Sequence, residues 1–186
     1  MTRAVTATLL IAATPAFADR NDFNLEYFTI TGTTVQALRA DLDAKGTVGE
    51  NGRRSDGYTR WAIDWNFDTV ASPGSCATSR VVVDLVIHMS LPRWYPPTGT
   101  NPDLVAQWNR YSAALRLHED GHRYRAEAAA GDIRRLLALA RGPADCGALR
   151  QQLNSRGIER LDALRRSQSG YDRDTRRGET QGARLP

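Results

Sequence analysis

A pair of histidines near the middle of the chain has the spacing of a metal site. His118 and His122 are two of the three histidines in the sequence, and Glu119 directly follows the first. Residues four positions apart lie on the same face of an α-helix, so both imidazoles can bind one ion. This H-E-x-x-H arrangement predicts zinc ligands at His118 and His122, with Glu119 accepting a proton from the water that zinc activates. The corresponding chemistry is hydrolysis of a peptide bond.

The residues around this pair predict one long helix. Asn101 can cap a helix whose first residue is Pro102, and the apolar pattern stops before Gly142-Pro143. The predicted buried stripe is Leu104, Trp108, Tyr111, Leu115, His118, His122, Ala126, Ala129, Ile133 and Leu137. A straight helix from Pro102 to Arg141 would be about 60 Å long. We therefore expect a bend or break at Gly131-Asp132.

The rest of the chain predicts an α+β fold. Alternating apolar residues predict strands at 25–31, 58–67 and 80–91, with a turn at 68–78. Thr33 is expected to cap a short first helix, and Asp145 a helix that ends near Ser167 to Gly170. These elements predict a small antiparallel sheet of about three strands, packed on the long helix and on a second C-terminal helix.

The N-terminus is typical of a secretory signal peptide. Arg3 precedes an apolar segment over 4–13, and Ala16-Phe17-Ala18 is an A-x-A cleavage site. We expect residues 1–18 to be removed and 19–186 to form a single domain, periplasmic or secreted. The apolar segment is too short for a membrane span, and no second one follows.

Composition adds two expectations. Cys76 and Cys146 are the only cysteines, which favours one disulfide in an oxidising compartment over two buried free thiols. The formal net charge is +4, and nearly all basic residues are arginines. Acidic residues are interleaved and no aromatic stacking motif accompanies the arginines, so we expect no nucleic-acid partner. A solvated arginine-rich surface or a binder of anionic envelope polymers both fit this composition.

Several motifs together resemble a known family. They are Trp61 and Trp65 in one strand, Leu91-Pro92-Arg93-Trp94, the segment from His118 to His122, the two spaced cysteines, and Tyr171-Asp172 with Thr175, Gly178 and Gln181-Gly182-Ala183. The chain resembles bacterial secreted proteins labelled domain of unknown function 922, described as predicted zinc-dependent proteases. The resemblance implies a zincin-like domain in which residues 167–186 fold back toward the site, although by composition alone this end would be disordered.

The same resemblance raises the question of the third metal ligand. The family pattern is similar to T-x-H-G, whereas this chain has Arg177 at the histidine position. A catalytic zinc needs three protein ligands, and Asp172 or Asp174 could supply the missing one. Tyr171 could donate a hydrogen bond to the oxyanion.

Two functions remain open for the site. One is a zinc-dependent metallopeptidase acting on a peptide or protein substrate. The other is a non-catalytic zinc- or peptide-binding cell-envelope protein, because Arg177 replaces the expected histidine. For the metallopeptidase, the polar strand face at Asp84, His88 and Ser90 could pair with an extended peptide substrate at a free edge.

Overall fold

The structure is a computed structural model that describes residues 17–49 and 52–185. Residues 1–16 of the predicted signal peptide lie outside the described residues. In chain order the elements are β1 (Phe17–Ile30), α1 (Val35–Lys45), β2 (Thr47–Val48), β3 (Arg54–Ser55), β4 (Tyr58–Ser72), β5 (Ser75–Trp94), α2 (Pro102–Ala138), β6 (Arg141–Gly142), α3 (Cys146–Thr175) and a short 3₁₀ turn (Glu179–Gln181).

The main sheet has the strand order β1-β5-β4, with β6 paired to the start of β5. β4 and β5 form a long antiparallel hairpin, whereas β1 runs parallel to β5. The predicted α+β class is confirmed, but the parallel pairing of β1 was not predicted. β5 lies between β1 and β4, so β1 pairs with β5 and not with β4, the next long strand in the sequence.

The hairpin is longer than the sequence predicted. Residues over 69–72 pair with residues over 75–78, so the turn predicted at 68–78 is present but is confined to Pro73-Gly74. Gly74 has φ 74°, a conformation that a tight turn requires and glycine adopts at little cost. The predicted core face of β5 is confirmed, with these residues buried: Val81, Val83, Leu85, Ile87, Met89 and Leu91.

α2 is one continuous helix of 37 residues, and at about 1.5 Å per residue it is about 55 Å long. A break at Gly131-Asp132 is therefore wrong. A single helix glycine costs only about 1 kcal/mol, and Ala130, Ile133 and Leu137 are buried in the core on either side of it. The predicted Asn101 cap is confirmed, since its Oδ1 accepts from the backbone N–H of Asp103 at 2.8 Å.

The helix ends at Ala138, before the predicted Arg141. The chain turns there because Arg141 and Gly142 form β6 against Ala77 and Cys76. Cys146, which begins α3, then forms a disulfide with Cys76 across a sequence separation of 70 residues. The predicted disulfide is confirmed, and closing so long a loop is worth about 4 kcal/mol in the chain-entropy model.

α3 runs from Cys146 to Thr175, so the end predicted near Gly170 and the irregular segment after it are wrong. The Asp145 cap is confirmed, with Oδ1 accepting from Ala148 N–H at 3.0 Å. The cap of α1 is Thr34 and not Thr33. After α3 the chain crosses α2, and Leu185 is buried in a second core cluster.

That second cluster lies at the N-terminal end of α2, around Ile30, Trp94 and Tyr111. The first cluster lies between the sheet, the C-terminal half of α2 and α3. His118 and His122 fall between the two clusters along α2. None of the helices in the described part of the chain combines the length and the hydrophobicity that a membrane span requires.

Candidate metal centre

Three side chains from two helices bring their ligand atoms together. The Nε2 atoms of His118 and His122 are 3.3 Å apart. Asp172 Oδ1 lies 3.0 Å from His122 Nε2 and 3.3 Å from His118 Nε2. Zinc bonds of about 2.0–2.1 Å in a tetrahedron place neighbouring ligand atoms about 3.3 Å apart. The three residues could therefore hold a metal ion and fit the spacing of zinc ligands, with Asp172 as the candidate third ligand.

The other candidate carboxylate does not join this group. Asp174 is exposed, and the described residues that could jointly hold a metal ion here are His118, His122 and Asp172. Asp172 points toward α2 because it lies four residues after Gln168 and on the same face of α3. This placement depends on α3 continuing to Thr175.

Each histidine is held from behind by a glutamine. His118 Nδ1 lies 3.0 Å from Gln181 Oε1, and His122 Nδ1 lies 2.6 Å from Gln168 Oε1. An amide oxygen only accepts, so each Nδ1 carries a proton, and Nε2 is the ring atom that is left to bind either a proton shared with Asp172 or a metal ion. Gln168 Nε2 also donates to the carbonyl oxygen of His122 at 3.0 Å. Neither glutamine was predicted from the sequence. The four-residue spacing of Gln168 and Asp172 places both on one helix face, but only if α3 is known to continue to Thr175.

The charges of the centre favour a cation. Burial raises the pKa of Asp172, but its hydrogen bonds with His118 and His122 outweigh this and hold that pKa well below the ordinary value. Burial lowers the pKa of His122, but hydrogen bonds to Asp172 and Gln168 and the nearby carboxylates raise it overall. The centre is thus a carboxylate and two imidazoles that attract either a proton or a metal ion.

Glu119 is only 4% exposed and faces the edge of β4. Thr59 Oγ1 donates to its Oε2 at 2.7 Å. A Cβ on Gly57 would lie only 2.8 Å from Oε1, so a side chain at this position would displace the Glu119 carboxylate. Burial raises the pKa of Glu119, which makes its carboxylate a stronger base. The role of Glu119 was predicted from the sequence, whereas the contacts of Thr59 and Gly57 with it, which come from a different part of the chain, were not.

Tyr171 packs against the centre without entering the cleft. Its ring stacks on the imidazole of His118, with centroids 4.9 Å apart and planes 17° apart. Gln181 Nε2 donates to its hydroxyl at 3.0 Å, and the guanidinium of Arg125 covers the ring at 3.7 Å. A Cβ on Gly121 would lie 2.2 Å from the hydroxyl oxygen. The oxyanion role of Tyr171 stays a prediction, and this geometry instead holds the ring of His118.

The centre opens into a cleft of about 1060 Å³. His118, Glu119, His122 and Asp172 line it, together with the start of β4 and the chain after α3. Arg177 also lines the cleft, and its backbone N–H donates to the carbonyl oxygen of Asp172 at 2.8 Å. Arg177 therefore lies beside the candidate site.

The strand edge that borders the cleft belongs to β4. The expected pairing of a peptide with the strand of Asp84, His88 and Ser90 is wrong, because β5 is already paired on both sides by β1 and β4. β4 ends the strand order of the main sheet, and its residues Thr59 and Trp61 line the cleft.

Comparison with known proteins adds a family and no detailed function. No curated protein matches the chain. No solved structure matches it either. The family model described as "Bacterial protein of unknown function (DUF922)" matches residues 25–179, and the chain therefore belongs to this family.

Proposed function

We propose that the protein is a zinc-dependent peptidase of the periplasm or the extracellular space. The observation that carries this proposal is the meeting of His118, His122 and Asp172 within 3.3 Å beside the buried Glu119. Two imidazoles and one carboxylate are a typical ligand set for catalytic zinc, with one position open. The disulfide and the predicted signal peptide support export.

In this proposal the ligands and the base have separate tasks. Zinc held by His118, His122 and Asp172 would supply a Lewis acid that lowers the pKa of water and polarises the substrate carbonyl. Glu119 accepts the proton from water and later passes it to the leaving amine. Thr59 holds Oε2 of this carboxylate at 2.7 Å, and burial raises its pKa. Both effects orient and strengthen the base.

The shape of the cleft supports a peptide as the substrate. The outer edge of β4 has no strand partner among the described residues and borders the cleft at Thr59 and Trp61. An extended peptide can add to such an edge through its backbone hydrogen bonds. This would bring a peptide bond past Glu119, since Thr59 contacts its carboxylate directly.

A non-catalytic zinc- or peptide-binding protein is the second candidate. Arg177, at the position where the resemblance implies a histidine, lines the cleft and brings a positive charge to the neighbourhood of the centre. A guanidinium has no lone pair for zinc and repels a dication. This charge would weaken metal binding and favours a role in binding alone.

Metal analysis and one conservative variant separate these candidates. We expect purified mature protein to bind about one zinc per chain, and His118→Ala or His122→Ala to lose it. Glu119→Gln should keep zinc and lower hydrolysis of a quenched fluorescent peptide library by at least about a hundredfold. Glu127→Gln is the matched control, because Glu127 lies on the same helix and pairs with Arg123 outside the cleft.

Each outcome of these measurements tests a different part of the proposal. Absence of zinc, with none gained on titration, would refute the metal site. Zinc binding without hydrolysis of any peptide would favour the non-catalytic candidate. Hydrolysis that survives in Glu119→Gln would show that another group acts as the base.

A further inference from the structure

One side of the cleft is strongly basic. The end of α3 and the chain that follows contribute Arg173, Arg176, Arg177 and Arg184 to its lining. Among the described lining residues, seven arginines face four carboxylates, a formal excess of three positive charges. A bound divalent metal would increase this excess. The cleft therefore presents a positive field to whatever enters it.

The structure does not use these four guanidinium groups internally. Within residues 17–49 and 52–185, none of these four side chains forms a hydrogen bond or an ion pair. Other arginines differ, since Arg39 in the same cleft is bound to Asp56 and Arg116 is bound to Asp120 at 2.8 Å. The charges at the end of α3 are thus available to a ligand.

The backbone that carries two of them is unusual. Arg176 and Arg177 have φ of 49° and 56°, the left-handed region that non-glycine residues seldom adopt. The backbone N–H of Arg177 bonds the carbonyl of Asp172 at 2.8 Å and keeps this turn next to the candidate ligand. Residues in costly conformations concentrate at functional sites. Here the conformation brings two charged side chains to the cleft within five residues of Asp172.

We propose that the cleft selects acidic peptide segments, whose carboxylates pair with Arg173, Arg176, Arg177 and Arg184. The inference rests on the proposed function in that it takes the cleft as a peptide site. Guanidinium groups bind carboxylates through paired, charge-assisted hydrogen bonds. A peptide fits better than a phosphate polymer, because the free edge of β4 borders the cleft and can pair with a peptide backbone.

The test measures binding rather than turnover. Three acetylated, amidated peptides share one length and an alanine-glycine background, and they carry glutamate, glutamine or lysine at the same positions. Binding to the mature chain is measured by calorimetry at about 0.15 M ionic strength, in zinc-loaded Glu119→Gln protein so that no peptide is cleaved. We expect the glutamate peptide to bind about tenfold tighter than the glutamine peptide, a difference of about 1.4 kcal/mol, and the lysine peptide to bind weakest.

Two matched double variants locate the effect. Arg176→Asn with Arg177→Asn should remove most of the preference for glutamate, and asparagine tolerates the left-handed backbone. Arg156→Gln with Arg160→Gln removes the same charge from exposed positions of α3 outside the cleft, and should keep the preference. Circular dichroism serves as the check that both variants fold.

Three results would overturn the inference: equal affinity for the three peptides, equal loss of preference in both double variants, or tighter binding of polyphosphate than of the glutamate peptide at the same site. These three results differ from those that would refute the proposed peptidase function. Missing turnover in wild type refutes the peptidase but leaves a measured acidic preference intact, and an active peptidase without that preference refutes only this inference.

Discussion

Gly121 of α2 packs directly against Tyr171 of α3, and the absence of a side chain at Gly121 allows this close contact. A Cβ added to Gly121 would lie 2.2 Å from the Tyr171 hydroxyl oxygen and 2.5 Å from Cζ. Gly131, on the same helix, offers a matched comparison. Its added Cβ would meet only the flexible end of Arg135, at 3.4 Å. The same substitution should therefore have opposite effects at the two positions.

The magnitude follows from two competing terms. Replacing glycine by alanine inside a helix stabilises by about 1 kcal/mol, and Gly131→Ala should gain about 0.5–1 kcal/mol. At Gly121 this gain is offset by overpacking against the ring of Tyr171, which costs about 1–3 kcal/mol. We expect Gly121→Ala to be about 2 kcal/mol less stable than Gly131→Ala. In a chain of this size, that corresponds to a difference in Tm of about 4–8 °C.

The assay is thermal unfolding of metal-free protein, followed by zinc titration. Gly121→Ala should also weaken zinc binding, because the displaced Tyr171 ring stacks on His118. Gly131→Ala should bind zinc like wild type. In a Tyr171→Ala background the clash is gone, and Gly121→Ala should then stabilise by about 1 kcal/mol.

Equal stabilisation by both alanines in the wild-type background would refute this contact. A loss of stability at Gly121 that persists unchanged in the Tyr171→Ala background would place its cause elsewhere. Either result would also remove the argument that Tyr171 positions His118.

Three further predictions concern the centre and the fold. By calorimetry, Arg177→His should bind zinc about tenfold tighter than wild type, a gain of about 1.4 kcal/mol. Asp172→Asn should weaken zinc binding more in the wild-type background than in the Arg177→His background. Equal zinc affinities for wild type, Arg177→Ala and Arg177→His would show that position 177 does not act on the site. Zinc affinity should fall as the pH drops through the pKa of His122, which lies above the ordinary value because of its hydrogen bonds to neighbours. The pH dependence of stability without metal has the opposite sign. The contribution of His122 to the free energy of unfolding is fully present below its unfolded pKa of about 6.5 and is lost as the pH rises through its raised folded pKa. A metal-free protein that becomes more stable over that pH interval would contradict this assignment. Removing the disulfide by Cys76→Ala with Cys146→Ala should cost about 4 kcal/mol, measured as urea unfolding, and an unchanged midpoint would contradict that estimate.

The sequence by itself determined the features that depend on nearby residues. The alternation in β5, the caps at Asn101 and Asp145, and the spacing of His118 and His122 are all readable within a few positions. Such local patterns work because side-chain direction repeats every two residues in a strand and every three to four in a helix. The fold class and two of the three candidate ligands follow from them.

The tertiary structure decided what depends on distant residues. The sequence left Asp172 and Asp174 as alternative ligands. In the structure α3 continues past Gly170 and places Asp172 beside His122, which is 50 positions away in the sequence. Gln181 reaches His118 across 63 positions, and Thr59 reaches Glu119 across 60. The length of α2 and the parallel pairing of β1 also depend on which surfaces pack together. No periodicity encodes these contacts, because they form only when the burial of the whole core outweighs local preferences such as a helix glycine or a polar C-terminal composition.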